Sequence, residues 1–380
     1  MARILLGNAN LIDPEATGPI PLGWLMIEDG RILALGDGET PSGVDADTLD
    51  LDGHSVAPGF LDLHFHGDLA TASGAGLALA FEATASQLLS QGTTGFLATS
   101  VSLDSTQLAE FVLQIGSMTR DDADESSCLG IHLEGPWIHP RHGGAHEASG
   151  IRPFRRDEAH DLLDRSAGTL RMVTLAPEVQ GGLEAVELLS KEGLVVAIGH
   201  SRAEPPLIDD AVARGLTHVT HLFNAMTQPH HRELGVAGCA LTDDRLTADL
   251  ICDGVHVDPR MVALAARAKR DKLCLISDQV GRQLGGQTLE RDGCVWRTRD
   301  GDLAGGAISL AQSLACFRTY SRVDLREAVA TVTLRPARVL GIESQRGTLR
   351  PGARADLVVL DPDLRVRSTW LAGRRVYPAR

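Results

Sequence analysis

His64 and His66 in FLDLHFH, Glu134 in CLGIHLEG, His200 in VVAIGHS, His221 in THLFN, His256 in DGVHVD and Asp278 in LISDQ share one setting. Each ends or follows a short apolar run, and each is a metal-ligand type or an acid/base type. Buried ionisable groups are costly without partners, so packing explains such a converging set poorly. Imidazoles mixed with carboxylates favour zinc or a similar divalent cation. Side chains alternate with period two along a strand, so the His-x-His pair presents both imidazoles on one face. His132 and His218 read instead as packing groups that face the helices or the sheet interior. His142, His230 and His231 read as loop histidines.

Short apolar runs must carry these groups to one rim. They read FLDLHFH (60–66), TGFLATS (94–100), CLGIHLEG (128–135), RMVTLAPE (171–178), VVAIGHS (195–201), THVTHLFN (217–224), TADLICDGVHV (247–257) and KLCLISDQ (272–279). Helix-like stretches lie between them, as at 77–92, 182–193 and 258–271, several of them closed by glycine. Strands alternating with helices imply a parallel sheet. Eight such units over about 250 residues imply a barrel, with its active site at the C-terminal strand ends where these residues fall. A doubly wound open sheet is the competitor, but no GxGxxG follows a first strand, which removes its dinucleotide-binding form.

The expected fold is therefore α/β: a (β/α)8 TIM-like barrel over 58–343 with a small β-sandwich domain built from 1–57 and 344–380. The turns EDGR and LAGRR in those end segments are hairpin signals. Residues 301–306 read as a functional loop. Fifty acidic against 36 basic residues leave a net charge of −14, a poor balance for binding nucleic acid, though a local pocket for a small anion remains open. No apolar run reaches about 18 residues, so no membrane-spanning helix is expected. Asp13 and Pro14 interrupt the N-terminus before a long apolar signal core can form, which reads as cytoplasmic. The six cysteines contain no CxxC pair and read as buried, reduced thiols.

PGFLDLHFHG, HLEGPW, IGHS, THLFNAM, DGVHVD and SDQ, in this order, resemble the N-acetylglucosamine-6-phosphate deacetylases of the amidohydrolase superfamily over nearly the whole chain. HLEGPW with THLFNAM and DGVHVD is the specific combination; His-x-His alone indicates only an amidohydrolase. The resemblance implies a metal-dependent hydrolase that removes acetate from an amino-sugar 6-phosphate, in amino-sugar catabolism and cell-wall recycling. It implies Glu134, His200 and His221 as the main metal ligands and Asp278 as the catalytic acid/base. His146, in GGAH, matches the histidine that helps hold the acetamido carbonyl. Asn224, Ala225, Arg232 and His256 match residues that grip the sugar phosphate. Ala145, Asp253, Leu303, Ala304 and Gly305 match further substrate contacts. In the family the arginine and that last histidine reach in from a neighbouring subunit, which implies a homodimer with a site completed across subunits.

Two departures from the family pattern bear on cofactor and substrate. Some relatives lack the His-x-His pair and carry one metal, whereas His64 and His66 here could complete a second site. One or two divalent ions per chain are expected, zinc ahead of iron(II). The family commonly has small residues after the strand-8 aspartate, but here Gln279 follows, and the short segment before Leu303 could line the sugar pocket.

The residue types suit amide hydrolysis in their own right. A divalent cation lowers the pKa of bound water from about 15.7 to about 7. Asp278 can take up a proton and return it to a departing amine, and His146 can help stabilise a developing oxyanion. Arg232 offers a planar fork to a phosphate, against the plainer reading of a solvated loop charge. Other readings share parts of this chemistry: an N-acetylgalactosamine-6-phosphate or other N-acyl amino-sugar deacetylase, a non-catalytic barrel relative, or a cyclic-amide hydrolase. The last usually relies on a modified lysine where Glu134 stands here.

Overall fold

The computed structural model describes residues 3–70, 73–121, 127–284 and 286–378. Eight short segments run parallel in sequence order: β1 (Phe60–Gly67), β2 (Thr93–Ser100), β3 (Cys128–Glu134), β4 (Leu170–Leu175), β5 (Val195–Ile198), β6 (Leu216–Val219), β7 (Thr247–Ile251) and β8 (Leu273–Ile276). Beyond β8 the chain continues as Gln279–Val280, which pairs in parallel with β1 at Phe65 and Gly67 and closes the ring. Helices such as Ala75–Ser90, Gly182–Lys191 and Pro259–Lys269 fill the crossovers. This is the expected (β/α)8 barrel. β1 and β2 are buried along their whole length, as strands covered on both faces must be. Phe60 and Phe65 of β1 join the outer core against the helices, Phe65 lying edge-on to Phe96 at 5.9 Å between centroids. Leu63 joins a separate cluster with Leu97, Met172, Cys274 and Ile276, and the register of β1 against β2 is irregular between Asp62 and Phe65.

The later strands stop sooner than the apolar runs suggest. β5, β6, β7 and β8 end at Ile198, Val219, Ile251 and Ile276, so His200, His221, His256 and Asp278 stand in the loops beyond them. The physical reason lies in the backbone. His200, His221 and Asp278 have φ of 49°, 33° and 45°, and left-handed backbone cannot continue a strand. Non-glycine residues held there carry strain that commonly concentrates at functional sites.

Strands from both ends of the chain form one eight-stranded sheet, in the order Arg374–Tyr377, Val366–Leu371, Leu357–Leu360, Ser55–Pro58, Ile4–Leu11, Ile20–Glu28, Arg31–Gly36, with Asp47–Asp50 also on Ile4–Leu11. It encloses its own apolar core, including Leu6, Leu25, Ile32, Leu357 and Trp370. Both hairpin signals become two-residue turns, Asp29–Gly30 and Ala372–Gly373, with φ positive at each central position, as type I′ turns require. Arg346 ties the sheet to the barrel: it is buried, donates to the Thr94 carbonyl of β2 at 3.1 Å and pairs with Asp356 at 2.7 Å.

None of the six cysteines is in a disulfide, and Cys128, Cys239, Cys252 and Cys274 are buried. Burial pushes the Cys128 thiol up. Among the described residues no helix is long and apolar enough to cross a membrane.

Candidate metal centre and active site

One carboxylate organises the barrel rim. Glu134, the last residue of β3, turns Oε1 to the Nε2 atoms of His200 and His221, both at 2.9 Å. Its Oε2 faces His146 at 3.0 Å, His66 at 3.2 Å and His64 at 3.4 Å, all through Nε2. Asp278 Oδ1 completes the rim at 3.4 Å from both His64 and His66. Two candidate metal groups result, His64–His66–Glu134 and Glu134–His200–His221, joined by the shared glutamate. Every one of these ligand residues is buried.

The donor set fits a divalent cation on three observations. First, His64 and His66 bring their Nε2 atoms to 3.0 Å of each other, as do His200 and His221. Zn–N bonds of about 2.0–2.1 Å place adjacent tetrahedral ligands about 3.3 Å apart, so this spacing is within a few tenths of an ångström of ligation. Second, backbone carbonyls pin two of the rings. His66 Nδ1–H donates to Thr99 O at 3.1 Å and His200 Nδ1–H to His142 O at 2.7 Å. Each bond leaves the Nε2 lone pair facing the centre, the usual outer support of a ligating histidine.

Third, the cluster demands positive charge. Burial disfavours a charged His66 or His221, yet the carboxylates beside them prevail and push these rings up to about 10 and about 9. For His200 burial prevails over Glu134 and takes the ring down to about 4. Burial opposes ionised Glu134 and Asp278 too, but the surrounding imidazoles hold Glu134 well below its ordinary range and Asp278 below its own. Protons on these rings offset the same carboxylates that a metal would.

His146 is fixed in the opposite tautomer. Ser102 N–H donates to its Nδ1 at 2.9 Å, so the ring proton sits on Nε2 and points at Glu134. It is a hydrogen-bond donor at the centre rather than a free lone pair. His132 and His218 are fully buried with both ring nitrogens engaged, on Leu63 O and Thr174 for the first and on Thr247 and Asp249 for the second. Asp249 in turn accepts from the His221 backbone N–H. Both are supports, in line with their reading as packing groups.

A cavity of about 450 Å³ opens over this centre. Glu134, His66, His146, His200, His221 and Asp278 form part of its wall. Ala145, Asn224, Ala225 and His256 line it as well, together with Leu303, Ala304 and Gly305. The last three belong to a strand, Leu303–Gly306, rather than a loop, because Gly306 N–H bonds Asp278 O at 2.7 Å and the segment pairs with Val295–Arg297.

Five residues expected at the site or in its lining stand elsewhere or act differently. His64 is fully buried and does not line the cavity. Asp253 does not line it either. Its carboxylate accepts from the backbone of Val255 and His256 and from His256 Nδ1 at 2.6 Å, so it orients His256 instead. His256 lines the cavity of its own chain. Arg232 is exposed, outside the cavity wall, and bonds His231 at 2.6 Å. Gln279 also turns away: its amide meets Gln87 on the helix Ala75–Ser90 and Gln91 just beyond that helix's end. Leu284 is the part of the following segment that does line the cavity.

Sequence reasoning missed the carbonyls of Thr99 and His142, the Ser102 amide, and Arg141 and Asp302 on the cavity wall. A backbone atom leaves no trace in residue type. Arg141, one residue before a histidine in a loop, carried no spacing signal.

A shared glutamate ringed by histidines at the mouth of a closed barrel defines an amidohydrolase site, and the Amidohydrolase family model matches residues 55–376. The Bos taurus N-acetylglucosamine-6-phosphate deacetylase is 36% identical over 354 residues, 86% of this chain and 85% of that protein. The N-acetylgalactosamine-6-phosphate deacetylase of Escherichia coli O157:H7 is 32% identical, covering 93% of this chain and 95% of that one. A mutant Mycobacterium smegmatis N-acetyl-D-glucosamine-6-phosphate deacetylase, solved in complex with N-acetyl-D-glucosamine-6-phosphate, superposes with a TM-score of 0.90 at 32% identity over 99% of this chain and 100% of that one. The chain belongs to the amidohydrolase family and, within it, to the N-acetylglucosamine-6-phosphate deacetylases.

The two metal groups make a direct prediction. His64→Asn and His66→Asn each lower the metal-to-protein ratio by about one ion, because a site reduced to two protein ligands holds metal weakly. Elemental analysis checks it; an unchanged ratio would mean that the pair holds no ion of its own.

Proposed function

We propose that this chain hydrolyses the acetamide of N-acetylglucosamine 6-phosphate to glucosamine 6-phosphate and acetate. The observation that carries this reading is the meeting of Asp278, His146 and Glu134 in the wall of one cavity, His146 at 3.0 Å from Glu134 and Asp278 at 3.4 Å from His66. Glu134, His200 and His221 would hold a divalent cation, and His64 and His66 with the same glutamate a second, zinc ahead of iron(II). Such a cation supplies Lewis acidity, activating water and polarising a carbonyl.

The side chains account for the remaining steps. His146 donates its Nε2 proton to the acetamide oxygen as negative charge builds there. Asp278 takes a proton from the attacking water as the new C–O bond forms. It then delivers that proton to the sugar nitrogen as the C–N bond breaks, so acetate and a free amine leave. His256, held by Asp253, and Asn224 and Ala225 face the sugar phosphate. Arg232 reaches a site only if a second chain brings it, which is the homodimer arrangement of this reading. A cytoplasmic location and a division into a barrel of 58–343 and an end domain of 1–57 with 344–380 belong to the same reading.

A second reading, with N-acetylgalactosamine 6-phosphate as substrate, is favoured by the Escherichia coli O157:H7 relative. Acetate release from the two phosphorylated epimers, measured on metal-loaded protein, tests both. We expect kcat/KM to favour the glucosamine epimer. The reverse preference would establish the second reading, and no release from either would overturn both.

A further inference from the structure

We propose that Arg152 is a positioning residue for His146, holding that ring at the angle from which it presents its Nε2 proton to the substrate. The inference rests on the role of His146 in the function proposed above and adds the residue that keeps it in place. His146 stands in the loop beyond β3, but its tautomer depends on another loop. The Ser102 N–H, beyond β2, donates to its Nδ1 at 2.9 Å. A single hydrogen bond between two loops orients a ring only while the loops are fastened to each other.

Arg152 fastens them. Its Nη1 donates to the carbonyls of Leu103 and Gly150, both at 2.6 Å. Leu103 directly follows Ser102, and Gly150 lies in the His146 loop. The Arg152 backbone N–H bonds Pro136 O, just past Glu134, at 3.1 Å. One residue therefore ties together the loop beyond β2, the His146 loop and the end of β3. The rest of the guanidinium is held by Glu158, in the first turn of the helix Arg156–Ser166. Nη2 donates to Oε1 at 2.6 Å, and Nε–H is shared between the two carboxylate oxygens at 3.1 and 3.2 Å. Ser105 Oγ and Trp137 Nε1 donate to the same carboxylate at 2.8 and 3.4 Å. The pair is mostly buried, its side chains 18% and 10% exposed. A buried ion pair contributes little net stability over apolar packing, so stability alone explains it poorly. A planar fork that serves two carbonyls and a carboxylate at once explains it better, and explains arginine over lysine. The loops it joins meet closely: a Cβ on Gly150 would lie 2.0 Å from Ser102 O.

The test is a double-mutant cycle on metal-loaded protein, read as acetate release from N-acetylglucosamine 6-phosphate. We expect Arg152→Lys to lower kcat about tenfold to a hundredfold, with KM and metal content close to wild type. Lysine keeps a charge beside Glu158 but cannot serve both carbonyls as well. His146→Ala removes the donor itself and should lower kcat by about 10²–10³. Added to His146→Ala, Arg152→Lys should lower kcat no further, because both changes act through one ring. Gly150→Ala forces the same two loops apart while Arg152 stays, and its loss of kcat should likewise vanish in the His146→Ala background. That variant keeps the test open if Arg152→Lys folds poorly. A wild-type kcat in Arg152→Lys, or an equal fold-loss with and without His146, would overturn the proposal, since the ion pair would then serve the fold alone. A wild-type kcat in His146→Ala, or no acetate release by the wild-type enzyme, would instead refute the reading on which the inference rests.

Discussion

Asp278→Asn lowers kcat by about 10²–10⁴, the range for loss of a positioned acid/base, while metal and substrate still bind. The residue is 9% exposed, and its carboxylate lies 3.4 Å from both His64 and His66. Its backbone is clamped on both sides: its N–H bonds His64 O at 3.1 Å and its carbonyl accepts from Gly306 at 2.7 Å. Asparagine keeps the size and also tolerates the left-handed φ of 45° at this position, which few other residues do. The substitution thus removes the base and little else. Steady-state kinetics beside elemental analysis decide the matter. A kcat within a few-fold of wild type, with metal present, would mean that another group moves the proton; His146 and His256 are then the candidates.

His200→Asn and His221→Asn each abolish tight metal binding and nearly all turnover. Three protein ligands are the usual complement of a catalytic divalent site, and two hold it poorly. Asparagine suits these positions for the same reason as at residue 278, since both have positive φ. Its amide is too short to reach where Nε2 stands, 2.9 Å from Glu134 in each case. Loss of metal is read by elemental analysis and loss of turnover by acetate release, with thermal unfolding as a check on the fold. Either variant retaining full metal content and activity would exclude that histidine as a ligand. Glu134→Gln should weaken both metal groups together, because the one carboxylate serves both.

Much of this site is local in origin and could be read from residue order. Period-two alternation alone puts His64 and His66 on one face of β1. The dipeptides Asp29–Gly30 and Ala372–Gly373 specify their turns through backbone preference, whatever surrounds them. The spacing of eight apolar runs and their intervening helices specified a barrel, and a barrel collects strand ends on one rim. These features depend on short-range sterics and on periodicity, which a linear sequence carries in full.

The rest depends on partners far apart in the chain. Glu134 meets His221 across 87 residues, and nothing in HLEGPW says that both of its oxygens are shared. The tautomers of His66 and His200 are set by the carbonyls of Thr99 and His142, atoms that every residue possesses. The strand ends at Ile198, Val219 and Ile276 go with left-handed backbone two residues on, at His200, His221 and Asp278, which residue type does not announce. Asp253 was legible as a site residue but its direction was not: tertiary packing spends its carboxylate on His256. Residue types and their order determined the barrel, the donor set and the class of chemistry. Only the folded chain decided which atoms face one another, because hydrogen-bond geometry between distant segments is a property of their relative placement and not of either segment alone.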